Sequence, residues 1–263
     1  MVKFFKMHGI GNDYIFIDNI CDEYKMDFSC LSKKLSRRHF SVGSDGIIVI
    51  LKSKTCDAKI HIFNADGSKA KMCGNALRCV AFYLYKKLGK KEVIIQVVNR
   101  KIKCKILSNS NNKATVEVCM GRAKLLSTHS FKLLKNLQTL NVVSLGNKHA
   151  VVFVKEFNFS VQKWGKTICD SFDGGINVEF VKIQKDNILQ IKVYERGSGI
   201  TYACGSGACA SAYAYCKAKK INGKIIANLE KGQLEIYVKN SQIKMTGQAK
   251  FVYFGEVEID ENY

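Results

Sequence analysis

Two cysteines stand at matching points of the sequence, each directly before a glycine and the predicted first turn of a helix. They are Cys73, followed by Gly74, and Cys204, followed by Gly205. Unpaired amides and the positive end of the helix dipole favour a thiolate at such a position, and they can also hold a carboxylate through backbone hydrogen bonds. Glycine lets a ligand approach the backbone closely. The pattern predicts a nucleophile, a base and an anion site at both points.

The other nine cysteines are interpreted as small hydrophobic residues without a chemical role. They are Cys21, Cys30, Cys56, Cys79, Cys104, Cys119, Cys169, Cys209 and Cys216. The spacings Cys73-x5-Cys79 and Cys204-x4-Cys209 do not contain the C-x2-C pairs of structural zinc sites or redox dithiols. We therefore predict no metal ligands.

A duplicated cysteine suits chemistry in which two groups address one atom from opposite sides. Covalent thiol hydrolysis needs one cysteine and one histidine. If the two halves of the chain close face to face, a substrate carbon between the thiols could lose a proton to one and gain a proton from the other. Two helix N-termini in a dry cleft would stabilise the carbanionic charge, so this two-base racemisation needs no cofactor.

An internal repeat supports the pairing of the two cysteines. A shift of 131 residues places Ile60-His61-Ile62-Phe63 on Ile191-Lys192-Val193-Tyr194, and Met72-Cys73-Gly74-Asn75 on Ala203-Cys204-Gly205-Ser206. A nearby shift places Gly11-Asn12 on Gly146-Asn147, next to His8 and His149. The chain is therefore predicted to consist of two similar halves.

Each half is predicted to contain short strands, a glycine-containing loop and a helix. The helices are expected at residues 74–88 and 205–220, each with lysines in its last turn and a glycine or asparagine stop. Strands are expected at 14–18, 46–51, 59–63, 93–98, 101–107 and 114–120, and at 150–154, 178–183, 188–194, 223–229, 233–238, 242–246 and 250–258. Each half is thus predicted to be a strand-rich unit around one helix.

Composition restricts the remaining function classes. The 263 residues are 47% hydrophobic and 24% charged, which is typical of globular proteins and argues against disorder. Eleven cysteines and a start without a secretory signal indicate the reducing cytoplasm, and the apolar runs are too short to span a membrane. The net charge of +20 comes from 42 basic residues, of which only six are arginine. Diffuse lysine is more typical of a solvated surface than of nucleic-acid binding.

Six stretches of the sequence resemble diaminopimelate epimerases, the pyridoxal-independent enzymes that interconvert LL- and meso-diaminopimelate. They are residues 6–14 (KMHGIGNDY), 63–68 (FNADGS), 72–79 (MCGNALRC), 146–149 (GNKH), 194–197 (YERG) and 203–210 (ACGSGACA). The resemblance covers essentially the whole chain. It implies an α/β (α+β) fold of two pseudo-symmetric, barrel-like repeat domains with the active site in the cleft between them.

The resemblance also implies roles for particular residues. Cys73 and Cys204 would be the base and the acid, with His149 and Glu195 helping to set their protonation. The reacting carboxylate would bind to backbone amides of Gly74, Asn75, Gly205 and Ser206. The distal, unreactive end of the substrate would be held by the backbone of Glu195 and by the side chains of Asn12, Asn64, Asn147, Asn177 and Arg196.

The domains are expected at residues 1–121 and 122–249, with the C-terminal strand at 250–263 as a candidate to complete the first. The family further implies a homodimer, while the cysteine content, charge pattern and apolar-run lengths predict a cytoplasmic protein without a metal, nucleic-acid or membrane partner. Three departures from the family pattern are Gly46, where some members have a substrate-contacting glutamine, Lys148 in place of a common proline, and Ile200 in place of a common glutamate.

Two other functions remain open at this point. One is the racemisation of another amino acid such as histidine, or the epimerisation of lanthionine. Arg196 and four asparagines argue instead for a substrate with a second amino acid head. The other is a basic nucleic-acid-binding protein that kept the fold and lost the activity, which the intact pair Cys73 and Cys204 argues against.

Overall fold

The computed structural model describes residues 1–133 and 136–259 and divides the chain into two compact units. The first unit contains residues 1–118 and the C-terminal segment that begins at Gly247, and the second contains Cys119–Thr246. The second unit therefore begins after residue 118 and ends at residue 246, whereas the sequence-based boundaries were after residues 121 and 249. The last four residues of the expected strand 250–263 lie outside the described residues.

The first unit is built from a closed ring of strands and two helices. Its strands are β1 (Val2–Gly9), β2 (Asn12–Asn19), β3 (Gly46–Leu51), β4 (Ala58–Asn64), β5 (Lys69–Ala70), β6 (Glu92–Val97), β7 (Arg100–Asn109), β8 (Lys113–Arg122) and the last part of β17 (Gln242–Val257). Its helices are α1 (Phe28–Leu35) and α2 (Gly74–Leu88). The pairings run β1–β2–β3–β4–β6–β7–β8, and β17 pairs with both β8 and β1. The expected return of the last strand to the first thus closes a barrel, which leaves no free edge in the ring.

The second unit repeats this order of pairings. Its strands are β9 (Lys124–Leu133), β10 (Asn136–Ser144), β11 (Lys148–Phe153), β12 (Asn177–Lys185), β13 (Ile188–Glu195), β14 (Gly199–Thr201), β15 (Gly223–Leu229), β16 (Gly232–Lys239) and the first part of β17. Its helices are α3 (Val161–Asp170) and α4 (Gly205–Lys219). The pairings run β9–β10–β11–β12–β13–β15–β16–β17.

The strand registers confirm the repeat that the sequence predicts. β2–β3 and β4–β6 are parallel in the first unit, and β11–β12 and β13–β15 are parallel in the second. Ile47 pairs with Phe63, and Val178 pairs with Tyr194, so both partners are displaced by 131 residues. The mixed α/β fold class with two similar halves is therefore confirmed.

Hydrophobic patterning explains where the strands lie. β3 reads GIIVIL and pairs with parallel β2 and antiparallel β4 at its two edges. Its consecutive residues are buried along almost its whole length, so both faces of this strand are covered. β7 alternates between buried and exposed residues over much of its length, as expected for a strand with one face in solvent.

Helices α2 and α4 are the central helices of their units, with bounds that confirm the expected ranges to within one residue. Both are buried over most of their length, α4 with the small residues of GSGACASA, so strands pack against them from several sides. α2 ends at Gly89 in the left-handed conformation, as predicted. α4 ends one residue earlier than predicted, because Lys220 itself adopts the left-handed conformation with φ of +56°.

The sequence predicted the central helix of each unit but not the other helix that each unit contains. Within the described residues each unit has a second, shorter helix, α1 and α3. Both are started by a side-chain cap: Asp27 accepts a hydrogen bond from the amide of Ser29, and Ser160 accepts one from the amide of Lys163. Among the described helices, none is both long and apolar enough to cross a membrane.

Gly165 provides a test of how α3 packs against β13. A Cβ at this position would lie 2.4 Å from Cβ of Tyr194, so the helix could not keep its place. We expect Gly165→Ala to lower the free energy of unfolding by about 1–3 kcal/mol, the usual cost of overpacking. The fluorescence of the single tryptophan, Trp164, reports on this unit during urea denaturation. The exposed control Lys166→Ala should change stability by less than about 0.5 kcal/mol, and equal effects of both variants would contradict the packing described.

Candidate active site

Cys73 is the N-cap residue of α2. Its backbone is extended, with φ of −146° and ψ of 109°, and its Sγ accepts a hydrogen bond from the amide of Ala76 at 3.4 Å. The amides of Gly74 and Asn75 belong to the first turn and have no carbonyl one turn earlier in the helix. The structure thus places a thiol and free helical amides at one point.

Two uncharged polar groups lie close to the sulfur of Cys73. Its Sγ lies 3.8 Å from Oδ1 of Asn12 and 3.7 Å from the hydroxyl of Tyr14. Oδ1 of Asn12 also accepts a hydrogen bond from Nδ2 of Asn75 at 3.0 Å. Two other predicted site residues, Asn12 and Asn75, therefore lie at this sulfur or next to it, together with Tyr14, to which sequence reasoning gave no role.

A buried arginine supports this group. Arg78 has no exposed surface, and it donates to Oδ1 of Asn75 at 2.6 Å and to the carbonyl of Gln248 at 3.1 Å. Asn12 is held from its other side, where its Nδ2 donates to Oδ2 of Asp45 at 2.7 Å. These contacts fix which amide atoms of Asn12 and Asn75 face each other. Sequence reasoning missed Arg78 and Asp45 as supporting residues.

Cys204 occupies the same position at the start of α4. Its Sγ accepts a hydrogen bond from the amide of Gly207 at 3.3 Å and lies 3.5 Å from Oγ of Ser206. Nδ2 of Asn147 donates to the same hydroxyl at 3.2 Å. The amides of Gly205 and Ser206 occupy the first turn, as Gly74 and Asn75 do in α2.

A buried imidazole and a buried carboxylate accompany Cys204. Nδ1 of His149 lies 2.7 Å from Oε1 of Glu179, and both side chains are completely buried. One ligand atom from each of His149, Glu179 and Cys204 lies within 4.8 Å of the other two, which is close enough for one divalent ion. The spacing of the cysteines could not reveal this group of three residues, because Glu179 lies inside an apolar strand and His149 is distant from Cys204 in the sequence.

The charges around Cys204 correct the expectation of a thiolate at this helix start. Burial raises the pKa of the Cys204 thiol well above its usual value, and the negative charges of Glu195 and Glu179 raise it further. The hydrogen bonds with Ser206 and the amide of Gly207 oppose these effects but are weaker. These effects favour the protonated form of the Cys204 thiol.

Glu195 is part of the same environment. Burial raises the pKa of its carboxyl, and the charge of Glu179 adds to this effect, while a hydrogen bond from Oγ1 of Thr201 at 2.5 Å and the charge of His149 oppose it. Two carboxyls and an imidazole thus share one buried region with the thiol. The structure brings Glu195 and His149 to Cys204, as the resemblance implied.

The remaining predicted residues lie in two places. In the second unit, Oδ1 of Asn177 accepts a hydrogen bond from the amide of Arg196 at 3.0 Å, and Nη1 of Arg196 donates to the carbonyl of Gly174 at 2.8 Å. In the first unit, Nδ2 of Asn64 donates to Oγ of Ser68 at 2.9 Å. These side chains are exposed or partly exposed, so they are accessible to a ligand.

The structure explains why position 46 holds glycine rather than the glutamine that some family members have there. Its φ is +153°, and a Cβ there would lie 2.0 Å from the carbonyl oxygen of Phe63. The backbone of this chain could not hold a glutamine at this position without moving β4. Gly46 corresponds to Asn177 in the repeat, where β12 does carry a side chain.

Solved structures share this fold at low sequence identity. A phenazine biosynthesis protein of the PhzF family from Bacillus anthracis has a TM-score of 0.77 at 15% identity, covering 98% of this chain and 99% of its own. A probable proline racemase from Agrobacterium radiobacter has a TM-score of 0.74 at 14% identity, covering 99% of this chain and 94% of its own.

Sequence relatives identify the family. The family model for diaminopimelate epimerase matches residues 4–126 and 141–252. The diaminopimelate epimerase of Halothermothrix orenii is 38% identical over 99% of both chains, and that of Methanococcus maripaludis is 37% identical over 98% of this chain and all of its own. The chain therefore belongs to the diaminopimelate epimerase family, whose members are isomerases of the racemase and epimerase class.

Proposed function

We propose that this protein epimerises LL-diaminopimelate to meso-diaminopimelate by a two-base mechanism in which Cys73 and Cys204 act on opposite faces of the α-carbon. The observation that carries the proposal is the repeated N-cap thiol. Each sulfur lies beside first-turn amides that can bind a carboxylate, and each cysteine is the N-cap of its helix. Two equivalent sites in one chain suit a reaction that must deprotonate one face and protonate the other.

The proton transfers balance without any further reactant. One cysteine, as a thiolate, takes the α-proton, and the electron pair of the C–H bond stays on carbon next to the carboxylate. The other cysteine, as a thiol, donates its proton to the opposite face and becomes the thiolate. Cys204, with its raised pKa, is the proposed thiol of the resting enzyme.

The substrate carboxylate would be stabilised by the amides of Gly74, Asn75, Gly205 and Ser206. Negative charge that develops on carbon in the transition state spreads into this carboxylate, so fixed amide donors there lower the barrier. Such donors act without a pyridoxal or metal electron sink. We therefore propose that no cofactor is required.

The distal amino acid head of the substrate would be held by Arg196, Asn12, Asn64, Asn147 and Asn177, with the backbone of Glu195. A guanidinium matches a carboxylate through two parallel hydrogen bonds, and amides can serve both carboxylate and ammonium without adding net charge. Arg196 is exposed and prepositioned by its bonds to Gly174 and Asn177, which supports this assignment.

Two further parts of the proposal concern assembly and location. The protein is proposed to act as a homodimer in the cytoplasm, where its eleven free cysteines would stay reduced. Racemisation of histidine, epimerisation of lanthionine and nucleic-acid binding are the competing functions. Substrate panels separate the first two, and a steep salt dependence of DNA binding would be the mark of the third.

We expect both thiols to be essential. Cys73→Ala or Cys204→Ala should abolish conversion of LL- to meso-diaminopimelate, because the single remaining cysteine cannot serve the opposite face. Serine replacements should retain little activity, since a hydroxyl is a far weaker acid than a thiol. Chiral chromatography of the product measures the rate. The exposed control Cys21→Ser should match the wild type, and near-normal turnover by Cys204→Ala would contradict the mechanism.

Substrate choice tests the role of Arg196. Lysine, which lacks the distal carboxylate, should be a very poor substrate. Arg196→Lys removes the two-pronged geometry and Arg196→Met also removes the charge, so both should lower kcat/KM by about tenfold or more. Equal turnover of lysine, histidine and diaminopimelate would overturn the substrate assignment and leave only the racemase class.

Cofactor independence is tested by removing small molecules from the enzyme. Protein dialysed against EDTA and hydroxylamine should show no pyridoxal absorbance and should keep its full rate when reductant is present. A loss of activity that zinc or pyridoxal phosphate restores would contradict this part of the proposal.

A further inference from the structure

Asp45 binds two segments of the first unit that carry proposed site residues. Its Oδ2 accepts hydrogen bonds from Nδ2 of Asn12 at 2.7 Å and from the amide of Asp13 at 3.0 Å. Its own amide donates to the carbonyl of Asp13 at 2.8 Å, and its carbonyl accepts from the amide of Ala65, next to Asn64, at 3.0 Å. Asp45 thus joins the start of β2 to the end of β4, and the proposed mechanism gives it no role.

An ion network holds the carboxylate of Asp45 in place. Nη2 of Arg38 lies 3.0 Å from Oδ1 of Asp45 and also pairs with Asp13. Asp13 in turn pairs with Nζ of Lys6 at 2.9 Å. The two oxygens of Asp45 therefore have different partners: Oδ1 faces a cation, and Oδ2 faces the start of β2 with Asn12.

Two charged groups determine how the amides of Asn12 and Asn75 are turned. A carboxylate only accepts hydrogen bonds, so the contact with Asp45 requires the NH2 group of Asn12 on that side. A guanidinium only donates, so the contact with Arg78 requires Oδ1 of Asn75 there. The remaining atoms then meet, with Nδ2 of Asn75 donating to Oδ1 of Asn12 at 3.0 Å. The carboxylate and the guanidinium together permit one orientation of both amides.

This orientation places a hydrogen-bond acceptor near a proposed catalytic sulfur. Sγ of Cys73 lies 3.8 Å from Oδ1 of Asn12, with the thiol as the donor. An amide oxygen has two lone pairs, so Oδ1 can accept from Asn75 and from the thiol together. The same oxygen repels a thiolate, because both carry negative charge. Oδ1 of Asn12 therefore favours the state of Cys73 that holds a proton.

The second unit turns the matching asparagine differently. Nδ2 of Asn147 donates to Oγ of Ser206, which lies 3.5 Å from Sγ of Cys204. A shift of 131 residues places Ile176 at the position of Asp45, and this isoleucine is buried in the hydrophobic core. In the first unit an amide oxygen thus faces the start of the central helix, and in the second unit an amide nitrogen does.

We propose that Asp45 is a positioning residue that acts through Asn12, turning Oδ1 toward Cys73 so that this oxygen accepts the S–H group that forms when Cys73 takes the α-proton. This inference rests on the proposed two-base function. The chemical step is unchanged: the proton moves from carbon to Sγ, and the electron pair of the C–H bond stays on carbon. Asp45 itself transfers no proton. It keeps an acceptor in place for the thiol that the step creates.

The test alkylates the whole protein with iodoacetamide across a range of pH, without substrate, and reads Cys73 and Cys204 separately by peptide mass spectrometry. The decisive pair of variants is Asp45→Ala and Asp45→Asn. Both remove the charge, but the asparagine variant keeps a side-chain oxygen. The amide of Asp13 and Nδ2 of Asn12 both require an acceptor at the place of Oδ2, so they select this oxygen. An effect of position separates the two variants, whereas an effect of charge makes them equal.

The other ionisable groups around Cys73, Asn12 and Asp45 are the same in both variants. On the described elements they are Lys6 and His8 on β1, Asp13 and Tyr14 on β2, Arg38 after α1, Arg78 and Cys79 on α2, and Lys250 on β17. A difference between Asp45→Ala and Asp45→Asn therefore cannot arise from the charges of these groups alone.

We expect Asp45→Ala to shift the alkylation of Cys73 to lower pH, because the freed amide of Asn12 can turn Nδ2 toward the thiolate. The shift should be about half to one pH unit, since one hydrogen bond changes an equilibrium by roughly three- to tenfold. Asp45→Asn should stay close to the wild type, and Cys204 should shift in neither variant. Equal shifts in both variants, no shift or an upward shift in Asp45→Ala, or an equal shift at both cysteines would overturn the proposal.

Turnover provides the second measurement. Asp45→Ala should lower kcat for the conversion of LL- to meso-diaminopimelate by roughly three- to tenfold, because the S–H group formed on Cys73 loses its acceptor. Asp45→Asn should recover most of this loss, and an equal loss in both variants would contradict the proposal. The control Asp57→Ala removes a carboxylate that likewise binds a backbone amide, that of Ile94, and a cation, Lys90. It should change neither measurement.

Asn12→Ala removes the acceptor itself, and it decides the question if circular dichroism shows that Asp45→Ala does not fold. This variant should also shift the alkylation of Cys73 alone to lower pH, and a wild-type profile would overturn the proposal. Where both single variants fold, the double alanine variant should match Asn12→Ala, because Asp45 acts through that amide, and a further shift would contradict this. Failure of the two-base function would appear separately, as turnover by the alanine variants of the cysteines.

Discussion

The hydrogen bond from a backbone amide to a cysteine sulfur at the start of a helix is the contact on which the rest of the structure depends. It occurs twice, from Ala76 to Cys73 at 3.4 Å and from Gly207 to Cys204 at 3.3 Å. As N-caps, the cysteines have an extended backbone conformation, and their sulfurs satisfy one of the unpaired amides at each helix start. The surrounding strands serve to bury these two helices, so the barrel of each unit determines where its sulfur lies.

The two units have the same topology, but the groups described near their cysteines differ. Oδ1 of Asn12 and the hydroxyl of Tyr14 lie near the sulfur of Cys73, whereas His149 and two carboxyl groups lie near Cys204. Burial and the charges of these carboxyl groups raise the pKa of the Cys204 thiol, which favours its protonated form. Chemical asymmetry within a symmetric fold is what an acid and a base of one reaction require, since at any moment one must hold a proton and the other must lack it.

Much of the fold could be predicted from local signals. α2 was predicted within its observed bounds because Cys-Gly, a long apolar stretch and Gly89 all agree, and the buried run of β3 was equally clear. α1 and α3 were missed because they are short and their caps, Asp27 and Ser160, resemble ordinary turn residues. β1 was missed although it alternates, and the segments 242–246 and 250–258 proved to be one strand, β17, that passes through the boundary of the units.

The site residues likewise divide into those with a local sequence signal and those without one. Residues next to the repeated motifs were proposed as site residues from sequence, whereas Glu179 and Arg78 were not, because each looks like an ordinary strand or helix residue. Their roles depend on partners such as His149, 30 residues away, and Gln248, 170 residues away, which only the folded chain brings near.

We propose that two different thiols serve the two faces of one carbon, and the isotopic course of the wild-type reaction is the sharpest test of this mechanism. The enzyme is given protonated LL-diaminopimelate in D2O, and substrate and product are separated during the first few per cent of conversion. We expect deuterium at the α-carbon of the meso product and almost none in the recovered LL substrate, because the accepting and donating groups differ. Deuterium entering the recovered substrate as fast as the product forms would indicate a single base and would rule out the two-thiol mechanism.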